Sequence, residues 1–375
     1  MIKKILLSLL ICIVVIFAYS YHKAKPLHLT KDTSLPFPLE SEQREILYYA
    51  SLAPNAHNVQ PWRLTYNKNE QRFTLAFDSS KALPHIDPAG REAWISLGAF
   101  LENFRQAATA FGMQAEIDIL SSANSGNVAH ITLRSDTKRS PLKQPTALKL
   151  IERRHTDKRP YQNNVIAPKN LATLLEQHQP YLTYYPRGTA GFNKLAGYAV
   201  EAAKAQALDK NKRDEFALWL RFSNEEASQL KDGLPAEQLG LTGIKKLLYY
   251  SLFDREKAKS EAFATESIKK IENSVVHSAG FFIISGEDTF SATIRSGMHL
   301  ESFWLNAVQY GISIQPVSQM LEEDAFRKQL AQTLGLSQPP QMILRAGYVD
   351  DYGENNKIRR NISMFTSLES QPTIN

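Results

Sequence analysis

Hydrophobic residues recur at two different spacings along this chain. Between 95 and 111 they fall three or four positions apart, which predicts a helix with one buried face. Residues 40–53 have the same character and predict another helix, which Pro54 ends. Alternation of apolar and polar residues predicts strands at 63–66, 72–77, 113–119 and 128–133. The first two strands flank the polar segment NKNEQ and predict a hairpin. Helices and strands therefore share one stretch of chain, which favours an α+β fold.

The helical pattern at 98–112, GAFLENFRQAATAFG, returns at 297–311 as GMHLESFWLNAVQYG. Without gaps, the identical pairs are Gly98/Gly297, Leu101/Leu300, Glu102/Glu301, Phe104/Phe303, Ala108/Ala307 and Gly112/Gly311. Buried helices share Leu, Ala and Gly in any case, but each copy is followed by an alternating stretch and later by a strand that ends in Leu-Arg. We therefore predict two related halves, 40–145 and 146–365, that form a fused pseudo-dimer with a mixed or antiparallel sheet flanked by helices.

The second half alone carries extra sequence, at about 190–265. Within it, 215–233 and 247–263 have the apolar spacing of amphipathic helices. An insertion of this length is either a lid over a site or an interaction surface, and the remaining alternative is additional core. A lid would need aromatic side chains that face inward, and Trp219 and Phe222 are available.

The N-terminus has a different pattern. Lys3 and Lys4 precede residues 5–21, which carry no charge, and this order is typical of a targeting segment. We predict a signal peptide or membrane anchor at 1–21, with a buried core helix as the alternative, and a Pro-rich linker at 22–39. Because basic residues favour the cytoplasmic side, we expect an exported protein or one anchored on the extracytoplasmic face.

The composition, with 43% hydrophobic and 22% charged residues, is that of a globular protein. A net charge of +6 arises from Lys and Arg that are interleaved with Asp and Glu, so it does not indicate a nucleic-acid partner. It suits a phosphate-bearing small ligand or an anionic membrane surface. One cysteine excludes an intrachain disulfide, and the nine histidines lack metal-ligand spacing, so we predict no metal site. The chain has no GxGxxG, Walker, HExxH or GxSxG motif.

Two polar stretches are candidates for a ligand site. ASLAPNAHNVQPWRL (50–64) places two Asn, a His and a Gln close to two prolines, which suits a flat ligand with polar edges. His57 could contact that ligand or have only a structural role. ERRHTDKRPY (152–161) gathers cationic side chains around Thr156, and KIRR (357–360) adds another basic cluster. Several cationic donors beside a hydroxyl suit a phosphate, although solvated basic patches are the alternative.

With these motifs, the chain resembles the nitroreductase family of FMN-dependent oxidoreductases. LAPNAHNVQPW is similar to the family's Ala-Pro-Ser-x-x-Asn-x-Gln-Pro-Trp stretch, and RRHTDK to its Arg-Arg-Ser-x-Arg stretch, which holds the flavin phosphate. GISIQPVSQ (311–319) resembles the segment that passes the flavin ring, and LRAGYVDDYGENNKIRR resembles the C-terminal strand and basic pair. DPAGREAWISLGAFLENF (87–104) narrows the resemblance to the Acg-like branch, in which two halves are fused and a lid covers the flavin.

The resemblance implies one FMN site per chain, because the first half has no counterpart of RRHTDK. The implied contacts are Pro54, Asn55, His57, Asn58, Gln60, Arg153, Arg154, Thr156, Lys158, Arg159, Gln315, Pro316, Val317, Ser318, Arg359 and Arg360. The basic residues and Thr156 would hold the phosphate, the residues at 54–60 would line the ring edge or ribityl chain, and the backbone of 315–318 would run near flavin N5. Asn55 and Lys158 stand where Ser and Arg are usual in the family.

The implied function is electron transfer from NAD(P)H through FMN to a nitroaromatic or quinone-like acceptor. The cofactor would carry the redox chemistry, and we expect no general base from the protein. The alternative is a catalytically silent protein that binds or stores flavin under a closed lid. A third hypothesis is a partner-binding module built on the insertion. We expect a monomeric pseudo-dimer or a loose oligomer, with a membrane contact possible only through residues 5–21.

Overall fold

The computed structural model describes residues 2–24, 31–122, 126–135, 145–353 and 358–369. The helices in these ranges are α1 (Ile2–Lys23), α2 (Ser41–Ser51), α3 (Arg91–Ala110), α4 (Pro145–Arg153), α5 (Pro168–Gln177), α6 (Ala190–Leu208), α7 (Lys210–Trp219), α8 (Asn224–Leu230), α9 (Gly243–Leu252), α10 (Arg255–Ala258), α11 (Glu261–Val276), α12 (Phe290–Gln309), α13 (Gln319–Glu322) and α14 (Asp324–Leu334). The strands are β1 (Trp62–Asn67), β2 (Arg72–Phe77), β3 (Met113–Ile119), β4 (Asn127–Ser135), β5 (Leu182–Pro186), β6 (Gly280–Ser285), β7 (Ser313–Pro316), β8 (Pro340–Gly347) and β9 (Thr366–Leu368).

The strands form two sheets. The first has the order β3-β4-β2-β1-β9 and is mixed, because β9 pairs with β1 in parallel. The second has the order β5-β6-β8-β7, with every pairing antiparallel. The predicted hairpin is confirmed, since Trp62 pairs with Phe77 and Asn67 with Arg72. The prediction of an α+β fold with mixed and antiparallel sheets is likewise confirmed.

Helices α3 and α12 cross at the centre of the molecule, between the two sheets. A Cβ atom added to Gly98 would lie 1.9 Å from the carbonyl oxygen of Ile294, and one added to Gly297 would lie 2.1 Å from that of Ile95. Each contact is the counterpart of the other, because Ile95 and Ile294 precede the two glycines by three residues. Such reciprocity is typical of an isologous interface between two copies of one unit, and it supports the proposed duplication.

Each sheet covers a core that this helix pair completes. The first core surrounds Phe100 and Phe104 of α3 with the inner side chains of the first sheet, including Leu64 and Leu75. The second surrounds Trp304 of α12 with inner side chains of the second sheet. Both helices are followed by a glycine in the left-handed region, Gly112 at φ +74° and Gly311 at φ +67°, as the sequence predicts for Gly112.

The insertion contains more and shorter helices than the sequence predicts. The range 215–233 was predicted as one helix, but α7 ends at Trp219 and α8 begins after Ser223, whose side chain accepts a hydrogen bond from the Glu226 amide. The range 247–263 is likewise divided, because Asp254 and Ser260 each cap the start of a new helix. These caps satisfy free amides locally and therefore compete with one continuous helix. Helix α6 belongs to the core and packs against the second sheet.

Helix α1 lies against α9. The Ser20 hydroxyl hydrogen bonds to that of Ser251, and Lys23 Nζ donates to the carbonyl oxygen of Tyr250 at 3.3 Å. Within the described ranges, no helix combines the length and apolar character needed to cross a membrane. The targeting role of residues 5–21 stays a prediction, and part of the expected linker at 22–39 lies outside the described residues.

The close contact of α3 and α12 at Gly98 and Gly297 predicts that two Gly→Ala substitutions differ sharply in their effect on stability. Gly98→Ala should lower the free energy of unfolding by about 1–3 kcal/mol, because the new methyl group meets backbone on the facing helix. Gly197→Ala, at an exposed position of α6, is the matched control, because its Cβ would meet nothing within 4 Å. It should be neutral or stabilising by up to about 1 kcal/mol. Urea unfolding measures both, and equal stability of the two variants would contradict the close crossing.

Candidate functional site

A cavity of about 240 Å³ lies where the two halves and the insertion meet. Its walls come from the loop after α2, the start of α3, the loop after α4, β7 with α13, and the inserted segment. The predicted site residues that line it are Pro54, Asn55, His57, Asn58, Arg154, Thr156, Lys158, Gln315, Pro316, Ser318 and Arg359. The structure thus brings together the three polar stretches that the sequence singles out.

Five predicted residues lie outside the cavity lining. Gln60 and Arg360 bind each other behind the loop, where the Arg360 amide donates to Gln60 Oε1 at 2.8 Å. Arg159 pairs with Asp157 at 2.8 Å, and the Arg153 guanidinium lies over the ring of Tyr352. The remaining one, Val317, is fully buried in the second half, in a core with residues of α6 and β8. Lys357 lies outside the described residues.

The loop after α2 holds three residues in the left-handed region. His57, Asn58 and Gln60 have φ of +47°, +55° and +57°, which costs on the order of 1 kcal/mol or more for each non-glycine residue. Side-chain hydrogen bonds offset this strain. The backbone amide of Gln60 donates to Asn55 Oδ1 at 2.8 Å, and Asn58 Oδ1 accepts a hydrogen bond from the Arg359 guanidinium at 2.7 Å. Backbone strain retained by surrounding contacts is typical of a functional loop.

His57 is a neutral group on the cavity wall. Burial, and then the positive charge of Lys158, lowers the pKa of His57 to about 3. Its Nδ1 atom is buried and has no hydrogen-bond partner among the described residues. Its ring contacts Phe216 of the insertion edge-on, at 5.1 Å between centroids. The imidazole is therefore fixed in position with hydrogen-bonding capacity still free.

Two buried arginines form one end of the cavity. Arg154 lies 3.0 Å from Glu301 and donates to the carbonyl oxygen of Leu52 at 2.9 Å. Arg359 donates to the carbonyl oxygens of Ser51, Leu52 and Ala53 and so caps the C-terminus of α2. Burial, and then the charge of Arg154, lowers the pKa of Arg359 to about 9. Both guanidinium groups are held by protein acceptors and supply positive potential to the cavity.

Lys158 lies at the same end and differs from these arginines. No hydrogen bond or ion pair is formed by its ammonium group within the described part of the chain. Burial, and then the charge of Lys270, lowers the pKa of Lys158 to about 8, so the group is still mainly charged at neutral pH. The exposed Thr156, which bridges to Ile314 of β7, adds a hydroxyl beside it. A partly buried cation without a protein acceptor favours an anionic ligand.

Carboxyl groups form the other end, and the sequence interpretation did not assign them. Asp87, Glu92 and Glu322 all line the cavity. Burial, and then the charge of Glu92, raises the pKa of Glu322 to about 8, and burial also raises the pKa of Glu92. The signal for two of them is the stretch at 87–104, which contains Asp87 and Glu92 and belongs to the motifs of the family resemblance. The cavity is therefore bipolar, with a cationic and an acidic end.

The insertion closes one side of the cavity. Its lining residues are Gln206, Leu234, Glu237 and Gln238. Asn58 Nδ2 donates a hydrogen bond to the carbonyl oxygen of Gly233 at 3.0 Å. In return, the backbone amide of Gly233 donates to the carbonyl oxygen of Asn58 at 3.2 Å. Gln60 Nε2 donates to the Lys231 carbonyl oxygen at 2.7 Å. Trp219 packs near Val59 beside the cavity instead of lining it.

The second aromatic residue considered for a lid, Phe222, stacks on Tyr249 within the insertion. The amides that the sequence assigned to a ligand edge, those of Asn58 and Gln60, instead hold the segment 231–233 against the loop. Neither Trp219 nor Phe222 lines the cavity, and the insertion is joined to the loop by hydrogen bonds from the Asn58 and Gln60 side chains to backbone carbonyl oxygens of 231–233.

The Nitroreductase family model matches residues 151–348, more than half of the chain, and the chain therefore belongs to the nitroreductase family. PigM of Serratia sp., named as a probable NAD(P)H nitroreductase, is 22% identical over 320 residues, covering 82% of this chain and 88% of PigM. Rv3131 of Mycobacterium tuberculosis, provisionally named as an NAD(P)H nitroreductase, is 23% identical over 326 residues, covering 83% of this chain and 86% of its own length.

Solved structures that are similar to this chain have lower sequence identity. The FMN-dependent nitroreductase NfnB from Mycobacterium smegmatis, solved in complex with NADPH, is 15% identical with a TM-score of 0.36, covering 57% of this chain and 92% of its own. A nitroreductase-type protein from Anabaena variabilis is 9% identical with a TM-score of 0.45, covering 87% of this chain and 94% of its own.

The buried Arg154–Glu301 pair predicts unequal effects at two corresponding positions. Glu301→Gln should lower the free energy of unfolding by about 3 kcal/mol, because it leaves the buried Arg154 without a counter-charge. Glu102→Gln at the equivalent position is the control and should cost about 1 kcal/mol or less, since its partner Arg105 is 45% exposed. Chemical denaturation measures both, and a loss at Glu102 as large as at Glu301 would contradict this assignment.

Proposed function

We propose that the protein is an FMN-binding oxidoreductase that transfers electrons from NAD(P)H through FMN to a nitroaromatic or quinone-like acceptor. Membership of the nitroreductase family and the cavity between the halves support this function. The observation that carries the proposal is Lys158, a partly buried ammonium on the cavity wall with no described protein acceptor.

The residues at the cationic end fit the phosphate of FMN. Lys158 supplies a free ammonium and Thr156 a hydroxyl, while Arg154 and Arg359 add positive potential from fixed positions. Charge-assisted hydrogen bonds to phosphate are among the strongest that proteins make. Because both arginines already bind carbonyl oxygens, we assign the direct phosphate contacts to Lys158 and Thr156.

The flavin ring would extend from this end along β7. The chain at Gln315, Pro316 and Ser318 lines the cavity there, and His57 and Asn55 line it from the first half. His57, neutral and with a free nitrogen, would bind a polar ring edge without adding charge. When bound, FMN accepts two electrons as a hydride and passes them on, and the chain binds it, orients it and excludes water.

A nicotinamide nucleotide is the proposed electron donor. PigM is named for activity with NAD(P)H, and NfnB was solved with NADPH. For this chain we propose the same class of donor. The segment 231–233 would have to move away from the loop at 57–60 to admit a nicotinamide ring, since hydrogen bonds join the two.

The same contacts favour a second candidate function. Asn58 and Gly233 form reciprocal hydrogen bonds, and Lys231 adds a bond from Nζ to Asn361 at 2.6 Å. A cover held this way could keep a bound flavin from reacting with a nucleotide. The protein would then store or carry flavin without turnover.

The cofactor assignment predicts the effect of one neutral substitution. Purified wild-type protein should show flavin absorbance and release FMN on denaturation, whereas Lys158→Met should bind FMN about 10- to 100-fold more weakly through loss of a charge-assisted contact. Arg153→Met removes a neighbouring positive charge outside the cavity and should leave affinity unchanged. Titration of FMN followed by fluorescence measures all three. A colourless wild-type protein that also refuses added FMN would rule the proposal out.

Anaerobic reduction distinguishes the two candidate functions. For the oxidoreductase, NADH or NADPH should bleach the bound flavin, and addition of a quinone should restore its absorbance. Breaking the cover with Gly233→Pro, which removes the amide that donates to Asn58, should speed the bleaching. A flavin that dithionite reduces but both nucleotides leave oxidised would favour storage.

A further inference from the structure

The acidic end of the cavity contains two carboxyl groups that come from different halves. Glu92 lies in the first turn of α3, and Glu322 is the last residue of α13. Both residues line the cavity, and they lie close enough together for the charge of Glu92 to raise the pKa of Glu322. Two carboxyl groups that share a buried site cannot both ionise at little cost, so one of them retains a proton near neutral pH.

The contacts indicate which carboxyl group holds that proton. The Arg91 guanidinium lies 3.4 Å from Glu92 Oε1 and stabilises the charged form of Glu92. Glu322 has no ion pair within the described residues, and Gln206 of α6 donates a hydrogen bond to its Oε2. Its Oε1 receives only a long contact, 3.4 Å from the hydroxyl of Ser318. Glu322 is thus the neutral acid of the pair, with Oε1 available to carry the proton.

The charged groups around Glu322 support this assignment. Glu92 and Asp87 act on it from the first half and raise its pKa, while Arg91 acts in the opposite direction. The residue of α6 that contacts Glu322 is the neutral Gln206, and Lys212 of α7 forms its ion pair with Glu323 instead. Burial makes the largest contribution to the raised pKa of Glu322, about 8.

Glu322 lies near the wall of the cavity where the flavin ring, and therefore the reacting atoms, are proposed to lie. It follows Ser318 by one helical turn, and Ser318, Pro316 and Gln315 line the wall where the ring of FMN is proposed to lie. An acceptor stacked on that ring would therefore have its oxygen atoms near the acidic end. Reduction of a quinone or nitro oxygen requires a proton in addition to the hydride.

We propose that Glu322 is a catalytic proton donor to the acceptor, positioned by Glu92, Ser318 and Gln206. For a quinone, the hydride, which is two electrons and one proton, would reach one end of the conjugated system from bound, reduced FMN. The carboxyl proton of Glu322 passes to the carbonyl oxygen on which negative charge develops, giving the hydroquinone and a carboxylate that solvent reprotonates. For a nitro group, the same hydride and proton give the nitroso compound and water.

This inference rests on the proposed function and adds a protein proton donor, whereas the sequence analysis expects no general base from the protein. It also defines the acceptor class. Three carboxyl groups at one end of the cavity disfavour an anionic acceptor, so a neutral quinone or nitroaromatic is the expected substrate.

The test measures reoxidation of reduced, FMN-loaded full-length protein by a neutral naphthoquinone in stopped flow, as a function of pH. The wild-type rate should be highest at low pH and fall as pH rises through about 8, because only the protonated form of Glu322 donates. Glu322→Gln should be about 100-fold slower and lose this pH dependence, since an amide keeps the shape but supplies no proton. Glu323→Gln, one residue away and paired with Lys212, should keep the wild-type profile.

Two further measurements complete the test. One does not depend on catalytic turnover, and the other does not depend on whether Glu322→Gln folds. The infrared band of a protonated carboxyl group should be present in wild-type protein at pH 7 and absent in Glu322→Gln. Glu92→Gln should shift the pH at which the reoxidation rate falls to a lower value, because it removes a negative charge that raises the pKa of Glu322. An unchanged pH profile in Glu322→Gln, or a missing infrared band in the wild type, would overturn the inference. Failure of the wild-type protein to bind FMN would overturn the proposed function instead.

Discussion

The close crossing of α3 and α12 is the constraint on which the other parts depend. Because Gly98 and Gly297 lack side chains, the two backbones meet directly, and each sheet packs on its own side of the pair. One turn further along α12, Glu301 neutralises Arg154, which in turn binds the Leu52 carbonyl oxygen at the end of α2. The distance between the helices therefore determines where the strained loop and the cationic end of the cavity lie.

The opposite charges at the two ends of the cavity have different origins. The cations come from the loop after α4 and from the C-terminal segment, whereas the carboxyl groups come from α13, from the start of α3 and from the loop before it. A ligand with a phosphate at one end and a neutral, oxygen-bearing partner at the other would match this order. The second half supplies the cations and Glu322, whereas the first half supplies Asp87 and Glu92, so the acidic end depends on the fusion of the two halves.

Much of the fold was predictable because it follows local periodicity. The α3 pattern, the hairpin of β1 and β2, and the glycine after α3 all appear in the structure where the sequence places them. Residues of the site could be named but not oriented, since nothing local shows that Gln60 turns toward Lys231 or that Arg359 caps α2. The pairing of Glu92 with Glu322 was beyond reach, because it depends on the juxtaposition of residues 230 positions apart, which only the tertiary structure creates.

The parallel pairing of β9 with β1 has a consequence for biosynthesis. Leu64 pairs with Thr366, and Arg359 reaches Ser51, so contacts that complete the first sheet and the cavity span about 300 residues. During translation, at roughly 5–20 residues per second, the first sheet stays open along β1 until nearly the whole chain has left the ribosome. The contacts along β1 and those of Arg359 therefore form only after nearly all of the chain has been synthesised, so the wall of the cavity is completed late in folding.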